Sequence, residues 1–256
     1  MALTLIPADH YKTRKIFQKN GDNFLKVSEF YADTIQGEGP FIGLPATFLR
    51  LTGCSLDCKF CDTTEVWNQG TNWTYKELLD LIEDVGIQEK LFMQQHLVIT
   101  GGSPLLQQRR ILGFLQEFTT RFGFRPYVEL ENECVIKPMP QLFEWINYWI
   151  NSPKLKNSGV PFEKRFNRNA IGEMAYADKS WFKFVIDKVD YDWIEIEENY
   201  LKPFGISKSR VILMPQGQTR EEILEKGPQV AELAIKQGVR YCSREHIVLW
   251  NKKIGV

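Results

Sequence analysis

Ala46-Thr47-Phe48-Leu49-Arg50-Leu51-Thr52-Gly53-Cys54-Ser55-Leu56-Asp57-Cys58-Lys59-Phe60-Cys61 is the stretch on which the fold turns. Its first six residues have the length and apolar content of a strand. That strand runs directly into a loop carrying cysteines in C-x3-C-x2-C spacing. A strand that delivers reactive groups at its carboxyl end is the arrangement of α/β sheets, whose ligands gather at that edge.

Upstream, Leu25 to Tyr31 reads as a strand leading into the turn-rich Thr34-Ile35-Gln36-Gly37-Glu38-Gly39-Pro40. Downstream, Thr74 with Glu77 forms a capping box, and Leu78, Leu81, Ile82 and Val85 share one helical face. His96 to Thr100 is a short buried-type strand stopped by Gly101-Gly102. Ile111, Leu115, Phe118 and Phe122 make the next apolar stripe, which Gly123 ends. Strands follow over Pro126–Glu131, up to Asn151, over Trp181–Asp187 and over Val211–Met214, with a helix over Met139–Trp145. Thr219 with Glu222 caps a helix reaching Lys236 and disturbed at Gly227-Pro228, and His246–Trp250 reads as a last strand.

Strands alternating with helices predict an α/β fold with a mostly parallel sheet and crossover helices. The 256 residues suit one domain, 1–256, with 1–24 as an N-terminal surface extension and 155–177 as an irregular insertion.

Lys+Arg and Asp+Glu both number 32, so the chain lacks the broad positive charge of a nucleic-acid binder. No apolar run approaches the roughly 18–20 residues that span a bilayer. The first residues lack the pattern of a secretory signal, so the expected location is the cytoplasm. In a reducing compartment, three clustered cysteines among five (Cys134 and Cys242 stand apart) point to metal rather than to disulfides. Two chemistries suit the cluster. Three thiolates in a tight loop can hold an iron–sulfur cubane with one iron left open. A structural zinc site needs a fourth ligand, for which Cys134, Cys242, His10, His96 and His246 are scattered candidates.

The cysteine loop resembles the signature of the radical S-adenosylmethionine (SAM) superfamily. That resemblance implies a partial (β/α)6-type barrel with cluster and ligands at the carboxyl ends of the strands. It implies a [4Fe–4S] cluster on Cys54, Cys58 and Cys61 whose fourth iron is chelated by SAM. Phe60 then lies beside the SAM adenine, and Thr100-Gly101-Gly102-Ser103-Pro104 resembles the glycine-rich stretch that contacts the SAM amino group.

More of the chain is similar to the 7-carboxy-7-deazaguanine synthase family. The matching pieces are Thr34 to Gly39, Phe48 to Cys54, Cys61-Asp62-Thr63 and Thr100 to Leu106. Ser152-Pro153-Lys154, Phe182 to Val185 and Leu249 to Val256 complete them, in the family's order.

The resemblance implies conversion of 6-carboxy-5,6,7,8-tetrahydropterin to 7-carboxy-7-deazaguanine by hydrogen abstraction, ring contraction and loss of ammonia. SAM, the cluster and Mg2+ are the implied cofactors. Phe60, Cys61, Asp62, Gly102, Ser152, Pro153 and Lys154 would contact SAM, and Thr63 would give an oxygen to Mg2+. Ile35, Gln36, Gly37, Arg50, Thr100 and the terminal carboxylate of Val256 would meet the pterin. A reducing partner such as flavodoxin and a homodimer are also implied, with no nucleic-acid or membrane partner. The rivals are an activating enzyme that makes a radical on a partner protein and a non-catalytic zinc module. The chain departs from the family at Glu131-Asn132-Glu133-Cys134, where members commonly carry an acid-Thr-x-Gly run. Which of Glu131 and Glu133 meets a ligand is left open.

Overall fold

A computed structural model describes residues 2–10, 23–251 and 253. Among these residues, ten strands form one sheet: β1 (Leu3–Ile6), β2 (Phe24–Ile35), β3 (Pro45–Leu51), β4 (Thr71–Thr74), β5 (His96–Gly101), β6 (Tyr127–Asn132), β7 (Tyr148–Asn151), β8 (Ser180–Ile186), β9 (Val211–Pro215) and β10 (Arg240–Tyr241). The spatial order is β1-β2-β3-β5-β6-β7-β8-β9-β10, with β4 pairing β2 off this path. From β3 to β10 every neighbour is parallel, while β1, β2 and β4 make antiparallel pairs. This is the expected mostly parallel α/β sheet.

The helices are α1 (Thr64–Trp67), α2 (Tyr75–Asp84), α3 (Ile87–Phe92), α4 (Gln108–Phe122), α5 (Phe162–Arg165), α6 (Arg168–Tyr176), α7 (Val189–Ile196), α8 (Lys202–Phe204), α9 (Arg220–Gln237) and α10 (Glu245–Trp250). Among the described residues, no helix is long and apolar enough to cross a membrane. Both expected capping boxes form, at Thr74/Glu77 and Thr219/Glu222. The α4 stripe buries Ile111, Phe114, Leu115 and Phe118 against the sheet, and Gly123 ends it in the left-handed conformation at φ 76°. Strand β5 is buried on both faces, as a strand covered by layers on each side must be.

Five local expectations need correction. His246–Trp250 lies in a helix, α10, rather than a strand. Its apolar run is too short for periodicity to separate the two states. Tertiary contacts decide instead: Glu245 N donates to Gly37 O (2.8 Å), and Arg220 donates to the carbonyls of Val248 (2.6 Å) and Leu249 (2.8 Å) at the helix end. The helix expected over Met139–Trp145 is a single 3-10 turn, Pro140–Glu144. Part of the 1–24 extension belongs to the sheet, since β1 pairs with β2 and buries Ile6 completely; its residues 11–22 lie outside the described residues.

The 155–177 insertion is the crossover between parallel β7 and β8, a connection that parallel neighbours require. It carries α5 and α6, and α6 packs Ile171 and Met174 into the core. Asn167 caps α6 by accepting from Asn169 N and Ala170 N. Helix α9 runs unbroken through Pro228.

Candidate active site

One cavity of about 220 Å3 opens at the carboxyl ends of the parallel strands. Cys54, Cys58 and Cys61 all line it, together with Phe60, Asp62, Thr63, Thr100, Gly102, Ser152 and Lys154. Ile35, Gln36, Gly37 and Arg50 line it as well. Of the remaining residues picked out from sequence, Pro153 is buried and does not line the cavity, and Val256 lies outside the described residues.

The cysteine loop starts where β3 ends. Gly53 takes φ 89°, a left-handed turn that glycine adopts without steric cost. Ser103 N then donates to Gly53 O (2.8 Å), tying this loop to the one after β5. Gly102 has to be glycine, because a Cβ there would meet Gly53 O at 2.4 Å and Cys54 Cβ at 2.6 Å.

The sulfurs receive donors. Leu56 N donates to Cys54 Sγ at 3.3 Å, and Trp67 Nε1 donates to Cys61 Sγ at 3.3 Å. Burial pushes the thiols of Cys54 and Cys58 up, the latter to about 11. For Cys61, burial acts the same way, but hydrogen bonds from Thr64, Trp67 and Thr63 outweigh it and lower the pKa. Donors of this kind tune thiolate ligands of iron–sulfur clusters. Among the described residues, no three His, Cys, Asp or Glu side chains gather tightly enough for a single metal ion. The three thiols stand around an open cavity, which is the donor set and the room that a cluster with one free iron needs.

The same cavity holds a buried ionic chain that sequence reasoning largely missed. Glu38 accepts from Lys183 Nζ (2.5 Å) and Arg244 Nε (2.8 Å), and His246 Nε2 stands 4.0 Å away. Arg244 also donates to Asp62 and, at 2.7 Å, to Gly217 O. Burial alone would raise the Glu38 pKa, but the charges of Lys183 and Arg244 hold it well below the usual carboxylate range. Burial and the neighbouring Arg244 charge outweigh the pull of Glu38 and lower the His246 pKa. Lys183 reaches Glu131 at 3.7 Å, and Glu131 accepts from Thr100 Oγ1 at 2.8 Å. The network thus joins the loop after β2, the cysteine loop, β8 and α10.

Gln36 is held on every side. Its N–H donates to Leu44 O (2.7 Å), its carbonyl accepts from Gly43 N (2.8 Å) and its Oε1 accepts from Glu38 N (3.2 Å). Its Nε2 donates to Glu129 Oε2 (2.9 Å), and the other oxygen of this fully buried carboxylate lies 2.5 Å from His96 Nδ1. The Nε2 amide carries a second N–H, and the residue lines the cavity. Arg50 Nε donates to Glu29 Oε1 at 2.9 Å, its guanidinium also hydrogen-bonds Tyr31, and the residue lines the cavity.

Residues 35–129 match the family model described as a 4Fe-4S single cluster domain. A 7-carboxy-7-deazaguanine synthase from Pyrobaculum aerophilum is 34% identical over 235 residues, covering 90% of this chain and 97% of that protein. The chain belongs to the 7-carboxy-7-deazaguanine synthase family. A second member, from Hyperthermus butylicus, is 34% identical over 88% of this chain and 92% of its own. Among solved structures, QueE from Escherichia coli aligns with a TM-score of 0.63 over 87% of this chain and 95% of that one. At 23% identity that likeness concerns the fold.

Family membership explains why the motif pieces, dispersed along the chain, meet in one cavity. The matching piece Phe182 to Val185 contains Lys183, but no matching piece contains Arg244 or Arg165. Arg165, from the crossover, donates to Lys154 O at 2.9 Å and pairs with Glu195 at 2.6 Å, fixing the backbone at a residue expected to meet SAM. Arg165 and Arg244 lie in short stretches rich in charge, Glu163-Lys164-Arg165 and Ser243-Arg244-Glu245, which sequence alone reads as solvated side chains.

Proposed function

We propose that this chain is a radical SAM enzyme that forms 7-carboxy-7-deazaguanine from 6-carboxy-5,6,7,8-tetrahydropterin with loss of ammonia. The observation that carries the reading is the joining of two facts. The chain covers nearly the whole length of a family member at 34% identity, and its three loop cysteines share a cavity with Ile35, Gln36, Gly37 and Arg50.

When bound, a [4Fe–4S] cluster and SAM supply the hydrogen-abstracting radical. The chain's own residues bind, orient and enclose. Cys54, Cys58 and Cys61 would ligate the cluster. Phe60, Asp62, Gly102, Ser152 and Lys154 would line SAM, with Pro153 between the last two. Ile35 and Gly37, with the second amide N–H of Gln36, would meet the pterin edge, and Thr100 would reach it from β5. Arg50 would receive the substrate carboxylate, a task suited to a planar guanidinium. Thr63 would give a protein oxygen to Mg2+, which retains water or substrate oxygens as further ligands. A flavodoxin-type reductant, a homodimer and a cytoplasmic location complete the proposal.

The test is anaerobic turnover of the reconstituted protein with the pterin, SAM, Mg2+ and a reductant. Release of the deazapurine is expected. Cleavage of SAM without that product would overturn the substrate assignment and favour an activating enzyme.

A further inference from the structure

Glu133 is 4% exposed and lines the cavity, yet its Oε2 is buried with no hydrogen-bond partner. Its other oxygen is anchored: Ser55 Oγ donates to Oε1 at 2.8 Å. Ser55 N donates to Ser103 Oγ at 2.8 Å, and that hydroxyl stands 3.6 Å from Cys54 Sγ. The carboxylate is therefore fastened to the cysteine loop beside the Gly102 turn. The backbone also aims it. Cys134, the next residue, has φ 60°, uncommon for a side-chain-bearing residue, and Asn132 Oδ1 holds the bend by accepting from Cys134 N at 2.8 Å.

A buried carboxylate oxygen with nothing donating to it is a costly arrangement unless a ligand completes it. Among the described residues, none donates to it. Lys154 commits its ammonium to the Ser152 carbonyl and hydroxyl, at 2.9 Å each. Glu131, two residues before on the same strand end, is already occupied by Thr100 and Lys183. The missing partner is a cation or strong donor placed next to the cluster loop. Resting on the proposed function, the geometry points to Glu133 as the residue whose Oε2 accepts a hydrogen bond from the α-amino group of SAM. The pterin is expected elsewhere in the cavity, against Arg50 and the loop after β2. This assigns the strand-end acid that the sequence left open between Glu131 and Glu133.

The test is SAM binding to the anaerobically reconstituted, cluster-loaded protein, compared with a SAM analogue lacking the α-amino group. Wild type should prefer SAM over the analogue. Glu133→Gln should weaken SAM roughly 10- to 100-fold, the range of a hydrogen bond to a charged group, and leave the analogue within about twofold. Iron content should not change. Glu133→Asp, which withdraws the charge by one methylene, should give an intermediate SAM-to-analogue ratio, and it decides the matter if the Gln variant takes up no cluster. An unchanged ratio in the variants, equal weakening of both ligands, or weakening of the pterin alone would overturn the assignment. If wild type binds no SAM at all, the functional reading falls and this inference falls with it.

Discussion

Glu38→Gln should destabilise the protein by stranding two buried cations. Lys183 is 4% exposed and donates to Glu38 at 2.5 Å; Arg244 donates at 2.8 Å. Removing one partner of a buried pair typically costs about 3–5 kcal/mol. Here the loss is partly offset. Lys183 keeps Glu131 at 3.7 Å, and Arg244 keeps Asp62 and the Gly217 carbonyl. The expected cost is therefore about 2–4 kcal/mol, or a fall in Tm of roughly 4–15 °C for a domain of this size.

The assay is urea denaturation of the cluster-free chain followed by tryptophan fluorescence. Adding Lys183→Met to Glu38→Gln removes one of the stranded charges, so the double variant should be more stable than the summed single effects by about 1–3 kcal/mol. The sign of the pH dependence follows from the depressed Glu38 pKa. As pH falls, unfolded Glu38 protonates first, so its stabilisation is complete above its ordinary value of 4.5 and is lost below it. The gap between wild type and Glu38→Gln should stay flat near neutrality and close in acid. A cost under about 0.5 kcal/mol, or strict additivity in the double variant, would refute the argument.

Arg50→Ala should weaken pterin binding by about 2–5 kcal/mol in a titration while leaving iron content intact, and an unchanged affinity would remove its assigned role. Gly102→Ala drives a Cβ to 2.4 Å from Gly53 O and 2.6 Å from Cys54 Cβ, so iron per chain should fall on reconstitution; full loading would contradict the tight loop contact. Gly37→Ala places a Cβ 2.1 Å from His246 Nδ1 and 2.8 Å from its Cγ. Docking of α10 should loosen at a cost of about 1–3 kcal/mol, seen as faster amide exchange over Glu245–Trp250, and unaltered exchange would count against it.

What the sequence made legible is local. The strand from Ala46 to Leu51 feeding the cysteine loop, the β5 run before Gly101-Gly102 and the two capping boxes each announce themselves within a few residues. The motif pieces named the cavity wall because backbone turns and thiol spacing are written in short segments.

What stayed hidden is non-local. Lys183 meets Glu38 across 145 positions and Arg244 meets Asp62 across 182, and no periodicity records such pairs. The 155–177 crossover was unreadable because α5 is a single turn and α6 buries two alanines beside Ile171 and Met174, a weak apolar face amid Lys, Asn and Arg. Residues 246–250 misread as a strand because the contacts that make them helical come from Gly37 and Arg220.

The claim beneath all of this is that three neighbouring sulfurs share a cluster and leave one iron for SAM. Iron and sulfide analysis of the anaerobically reconstituted protein, with spectra of the reduced centre before and after SAM, addresses it most directly. About four irons per chain and a SAM-dependent spectral change are predicted. One tightly held zinc per chain, with spectra indifferent to SAM, would contradict the account.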